Sequence, residues 1–307
     1  MKFNKFIIFI LTLLVFGCDG SYQSNDDQIV SELKSKNKKI FAIGNSGTIL
    51  NSPNGVTWNI KSSGTSYNLN SIYYANNKFV VVGEYGTILT SSDGDSWSTE
   101  TSGIITELKG ITFGNSIFVT VGVSGKILTS SDSKTWTPRI SGINADLLGI
   151  TYVNNQFIAV GGSGKTIKSN DGISWSSVTS FTNHTLSTIA YGNNIYVISG
   201  GSIFTSTDSN SWTERNGFIS FIYETIFLNQ IFVSICDTGK IMTSSDGINW
   251  DSRTSGTGNK LNGITHDDNV FIIVGNSGTI LSSKDGIDWN LLDSGSSNQL
   301  NDIYYTN

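Results

Sequence analysis

The sequence predicts an all-β protein, a seven-bladed β-propeller of four-stranded blades closed by its C-terminal strand pairing into blade one. Three observations carry that expectation. All seven tryptophans, Trp58, Trp97, Trp136, Trp175, Trp212, Trp250 and Trp289, recur at a near-constant interval, and a period of roughly 40 residues built from strand and turn chemistry points to propeller blades. Only 14% of the 307 residues are charged and two are proline, while Ser, Asn, Thr and Gly are abundant. That composition favours short strands joined by tight turns over helices. The chain also runs out of phase with itself: LNDIYYTN reads as a strand A with nothing after it, and KKIFAIGNSG as a strand B with nothing before it. Residues 300–305 are therefore expected to become the innermost strand of blade one, leaving no open sheet edge.

The second copy shows how one unit is built. Strand A is LNSIYY (residues 69–74), strand B KFVVVG (78–83) and strand C TILTSS (87–92), with strand D starting at Trp97. Between A and B stands a polar pair, Asn76-Asn77, matched by Asn115-Ser116, Asn154-Asn155, Asn193-Asn194, Asn229-Gln230 and Asp268-Asn269; Asn and Asp tolerate the positive φ that two-residue hairpins demand. Between B and C two glycines bracket a four-residue turn (Gly83 and Gly86 in blade two), with Cys236 replacing the first in blade six and a shortened hairpin in blade five. Strand C leads into a turn of the form SSDG before each tryptophan. Its aspartate (Asp93, Asp132, Asp171, Asp208, Asp246, Asp285; Asn54 in blade one) can accept backbone N–H bonds, while the following glycine supplies positive φ, with Ser133 and Ser209 departing from that rule. Each aspartate stands alone at its own turn, so the array reads as structural and not as a ligand set.

The segment up to residue 36 reads as a leader and tether, ahead of a propeller over residues 37–307. Lys2 and Lys5 precede the apolar run FIIFILTLLVF, which has signal-peptide length and is too short to span a bilayer. Residues 15–18, VFGC, resemble the lipobox of bacterial lipoproteins, which implies a signal peptide over 1–17, an acylated Cys18 anchoring the chain to a membrane surface, and a cell-envelope location, periplasmic or outer. A simple secretory leader with a chance cysteine is the competing reading. Residues 18–36 are polar and nearly aperiodic, as a tether would be. Loss of the leader takes the net charge from −5 to −7, an acidic balance that argues against nucleic acid as a partner. Cys236 would then be the sole thiol of the folded part, with no internal disulfide possible.

The S-x-D-G-x-x-W turn resembles the Asp-box, or bacterial neuraminidase repeat, although the boxes here are one residue shorter between Asp and Trp. The resemblance covers residues 37–307 and implies a propeller. Family members include sialidases, xyloglucan hydrolases, sorting receptors and the photosystem II stability and assembly factor type; the last is nearest in character, with compact blades, short loops and no catalytic insertions.

Chemistry is sparse. Resemblance to sialidases would imply an arginine clamp, but Arg139, Arg215 and Arg253 each lie three residues after their blade's tryptophan, on outer strands that cannot converge on the axis. The strand-A column Ser71, Gly110, Gly149, Thr188, Glu224, Gly263 and Asp302 is mostly small, as crowding near the axis requires. Glu224 and Asp302 are its catalytic candidates, able to approach one another as a glycosidase pair or to hold a cation, against the alternative that they bond neighbouring backbone or face channel water. His184 and His266 have no ligand-spaced partner, and Cys236 has no base nearby, so no metal or cofactor is expected. The face carrying the D–A and B–C loops presents Tyr67, Tyr85, Glu107, His184, Phe218, Phe221 and Lys260, aromatic and charged residues suited to protein or glycan contact. The reading that follows is a non-enzymatic, lipid-anchored, monomeric scaffold of the envelope that binds a protein. A glycosidase-like enzyme and a lectin-like propeller are the rivals.

Overall fold

The computed structural model describes residues 39–215, 220–266 and 270–306. They form seven antiparallel four-stranded sheets arranged as blades. Six take their strands in simple chain order, as in Leu69–Ala75, Lys78–Gly83, Ile88–Ser91 and Ser98–Glu100 of blade two. Blade one draws its inner strand from the far end of the chain: Leu300–Tyr305 pairs antiparallel with Ile40–Gly44, Ile40 opposite Tyr305 and Ile43 opposite Asp302.

Local sequence explains each corner. At the A–B hairpins of blades two to six both residues of the polar pair have positive φ, as at Asn76 (50°) and Asn77 (56°). At the B–C corner the two glycines serve different purposes. Gly86 is left-handed, φ +68°, whereas Gly83 is extended and is required by proximity, since a Cβ there would meet the Asn68 carbonyl oxygen at 2.2 Å. Blade six, where Cys236 takes that place, shows the cost. The Asp237 N–H reaches the Phe221 carbonyl at 3.4 Å, against 2.9–3.0 Å for its counterparts in the other blades. The Cys236 thiol itself is buried, and that burial pushes it up to about 12.

The aspartate turn closes as its chemistry demands. Asp93 Oδ1 accepts the N–H groups of Asp95 (2.8 Å) and Ser96 (2.9 Å), while Ser91 Oγ accepts the Gly94 N–H at 2.8 Å. Asn54 does the same for Val56 and Thr57. Ser133 and Ser209 adopt φ of 65° and 59° in place of glycine. At Ser209 a lysine from the preceding blade compensates, Lys168 Nζ donating to Ser209 Oγ (2.8 Å) and Asn210 Oδ1 (3.0 Å). Strand D begins one residue after the tryptophan, and in five blades the turn holds the indole: Trp58, Trp136, Trp175, Trp250 and Trp289 donate Nε1–H to the carbonyl three residues back at 3.0–3.1 Å.

The core is divided into seven apolar clusters, one for each blade-to-blade seam. Trp97, for example, covers a cluster shared by Phe41, Ile43 and Ile49 of blade one and Phe79, Val81 and Leu89 of blade two. Ring geometry is thus held by side chains burying their apolar area between sheets, the main favourable contribution to folding.

Candidate functional site

The seven inner strands enclose an axial cavity of about 860 Å³. Its wall is sewn together by polar side chains reaching from one blade to the next. In one layer Asn70 Nδ2 donates to the Leu108 carbonyl (2.8 Å), Asn262 Nδ2 to that of Leu300 (2.7 Å), Asn301 Nδ2 to that of Leu69 (2.8 Å) and Ser187 Oγ to that of Ile222 (2.6 Å). In the adjacent layer Glu224 Oε2 accepts the Ile264 N–H at 2.7 Å. Asp302 Oδ2 accepts that of Ile72 at 2.9 Å, while its Oδ1 takes the N–H of Ile303 at 2.7 Å. Both carboxyl groups therefore bridge inner strands while also lining the cavity.

The small residues beside them are not all small for one reason. A Cβ at Gly149 would meet the Ser187 carbonyl oxygen at 2.1 Å and one at Gly263 the Asp302 Cα at 2.8 Å, but at Gly110 the nearest atom is 3.5 Å away. Crowding dictates the first two glycines and leaves Gly110 unexplained.

Burial raises both acids. Glu224 lies well above the usual carboxylate range, with the Asp302 charge adding to the effect and the Ile264 N–H opposing it. Asp302 is raised to about 6, the N–H groups of Ile72 and Ile303 offsetting part of the burial. Two carboxyl groups with raised proton affinity in one cavity can exchange a proton with a guest. Among the described residues no group of three or more His, Cys, Asp and Glu side chains is placed to hold a metal ion.

The sequence-predicted face residues fall into separate places. Phe221 and Lys260 meet at the channel mouth through a residue that sequence reasoning passes over, Tyr223. The Phe221 and Tyr223 rings are 5.0 Å apart, and the Lys260 ammonium stands 3.8 Å from the Tyr223 centroid. Burial pulls Lys260 downward, with Asp237 opposing. Glu107 pairs with Lys109 (2.7 Å) and accepts from Asn70 Nδ2 (3.0 Å) near the same mouth. Tyr67 and Tyr85 meet at the rim with ring centroids 4.8 Å apart and planes tilted by 43°. His184 stands apart, 3.7 Å from Glu214. Phe218, Cys18, the leader over 1–17 and the tether to residue 36 lie outside the described residues. Arg139, Arg215 and Arg253 end their outer strands, each Nε donating to a threonine (Thr129, Thr205, Thr243) at 2.8 Å. The aspartates of the turns spend their Oδ1 lone pairs on their own backbone.

Fold and wall together define a seven-bladed β-propeller with a short-looped face and a carboxylate-bearing axial cavity. A family model described as the DUF6242 beta propeller domain matches residues 99–217. No curated protein matches the chain. Among solved structures, YCF48 bound to D1 peptide is 16% identical with a TM-score of 0.61, over 73% of this chain and 80% of that one. YCF48 from Cyanidioschyzon merolae is 18% identical with a TM-score of 0.59, over 75% and 86% of the two chains. The computationally designed Ika8 protein is 14% identical with a TM-score of 0.65, over 89% of each. At these identities the likeness is one of fold.

Proposed function

We propose that the chain is a non-enzymatic scaffold that binds a protein partner at the bacterial cell envelope, held to a membrane surface by an acylated Cys18. The observation that carries this reading is the loop-bearing face, where rigid aromatic side chains gather at the channel mouth and rim while the axial acids are engaged in inter-blade hydrogen bonds. A propeller of the same fold, YCF48, has been seen bound to a D1 peptide, which supports a polypeptide as the kind of ligand such a surface takes. The test places a photo-crosslinking amino acid at Phe221 in the full chain in its own envelope. One or a few recurrent protein adducts are expected, and their absence in repeated captures would count against the scaffold. Cys18→Ala should release the chain from the membrane fraction.

A second reading rests on one observation, the pair of buried acids lining a common cavity. A glycosidase-like enzyme requires turnover on a glycan panel that Glu224→Gln abolishes. Binding without turnover, indifferent to that change, would instead mark a lectin-like propeller.

A further inference from the structure

A concave notch recurs where strand D, the loop that follows it and the B–C corner of the same blade meet. In blade one it has a volume of about 490 Å³ and is lined by Ser46, Lys61 and Asn298. In blade two it has about 650 Å³, and the equivalent positions are Tyr85, Glu100 and Tyr67. These three changes occur together in one blade.

Each is costly or unusual on structural grounds alone. Tyr85 sits at φ +53°, a left-handed conformation rare for a bulky side chain; the equivalent residues are Ser46, Ser124, Ser163, Thr238 and Ser277. No burial compensates for it, since Tyr85 is 63% and Tyr67 46% exposed, with Ile105 beside them at 86%. Glu100 reverses a charge: the residue three after the tryptophan is Lys61, Arg139, Arg215 or Arg253 in four blades and apolar in two. One Glu100 oxygen accepts the Thr90 hydroxyl at 2.7 Å, which fixes the carboxylate against the notch. The backbone beneath the platform is tied to neighbouring corners. The Tyr67 carbonyl accepts the Gly47 N–H, and Glu84 holds Asn68 through both its backbone N–H and its side chain.

We infer that the notch of blade two is a docking site for a lysine or arginine side chain carried on an extended segment of a partner polypeptide. Exposed phenol faces beside a carboxylate are complementary to a cation, which the ring quadrupoles and the charge both attract. Lys126, on the same lining, is a like charge that disfavours the guest cation on its own side of the notch. A polypeptide is favoured over a sugar because, among the described residues, the outer strand Ser98–Glu100 pairs only with Ile88–Ser91, so its other edge offers backbone N–H and C=O groups beside the notch. The inference rests on the protein-binding reading and gives it a chemistry.

The probe is a capped pentapeptide of alternating threonine and valine around one arginine, compared with its citrulline counterpart and with chitotriose, titrated by NMR into the intact protein. Chemical-shift changes at Tyr67, Tyr85 and Ile105 are expected, with citrulline at least tenfold weaker. Tyr85→Ser with Tyr67→Asn restores the blade-one notch, so the variant should fold, and it should lose the peptide; Glu100→Lys should weaken it at least tenfold. Equal binding of arginine and citrulline, shifts confined to the channel mouth, indifference to the double variant, or tighter binding of chitotriose would overturn the inference. Partner capture through Phe221 that survives the double variant unchanged, alongside any of those results, would leave the scaffold standing and remove only the notch.

Discussion

The rim and the axis of this ring each present carboxylates to backbone N–H groups, yet the two sets titrate in opposite directions. At the rim, the N–H groups of Ser96 and Asp95 hold Asp93 at about 2, and those of Ser174 and Ile173 do the same for Asp171. At the axis, Asp302 has comparable hydrogen bonds and stands at about 6. Geometry is shared; water is not. Hydrogen bonds to an ion stabilise it only after its desolvation has been met. A repeated turn in solvent is therefore a structural device, whereas the same group moved to the channel becomes a proton-holding one.

The largest expected effect tests the rim. Trp136, 8% exposed, should cost about 3–5 kcal/mol when replaced by alanine, measured by denaturant unfolding. Trp58 or Trp97, only partly buried, should cost less, and equal losses would show that burial does not rank the indoles.

The axis comes next. Asp302 binds its proton more tightly folded than unfolded, so its contribution to stability is full below its ordinary value near 3.8 and falls away as pH rises through about 6. Asp302→Asn should flatten that slope in Tm against pH. The rim aspartates act with the reverse sign. Their contribution is present above their unfolded values and is lost as pH falls toward about 2. A wild-type curve without the downward step between about pH 4 and 6 would break the contrast.

Smaller effects separate the glycines and the turns. Gly149→Ala, aimed at a carbonyl oxygen 2.1 Å away, should destabilise by about 1–3 kcal/mol as an overpacked site does, while Gly110→Ala should leave Tm nearly unchanged. Smallest of all, Asp93→Asn should be close to neutral at pH 7, because Asn54 already performs that role in blade one. Its signature is a reduced acid sensitivity.

The architecture is legible because a sevenfold repeat multiplies weak local signals. One SSDG turn means little, but its recurrence at a constant distance from tryptophan sets blade count, strand order and closure. Strand ends are less so: strand C spans Ile88–Ser91 and strand D starts at Ser98, since the flanking residues are engaged in corner hydrogen bonds. The site is legible in parts. Tyr67 and Tyr85 stand out individually, but their ring contact depends on a loop and a corner that strands A and B separate in the chain. The meeting of Phe221, Tyr223 and Lys260 depends on neighbouring blades. Asn70, Asn262 and Asn301 read as ordinary polar positions, and only the ring reveals that each reaches a carbonyl of the next blade. Glu100 stands in the same column as the arginines, yet its charge reversal carries meaning only against its equivalents in the other blades.

Closure by Leu300–Tyr305 has a consequence for how the molecule comes into being. Ile40 and Tyr305 are neighbours in space although the whole of the other six blades lies between them in the chain, so this contact forms against a large loop entropy. Without that strand blade one would be a three-stranded sheet whose inner border lies bare, a template to which foreign strands can adhere. The chain's own last strand is thus the plug that keeps its first blade from recruiting strangers.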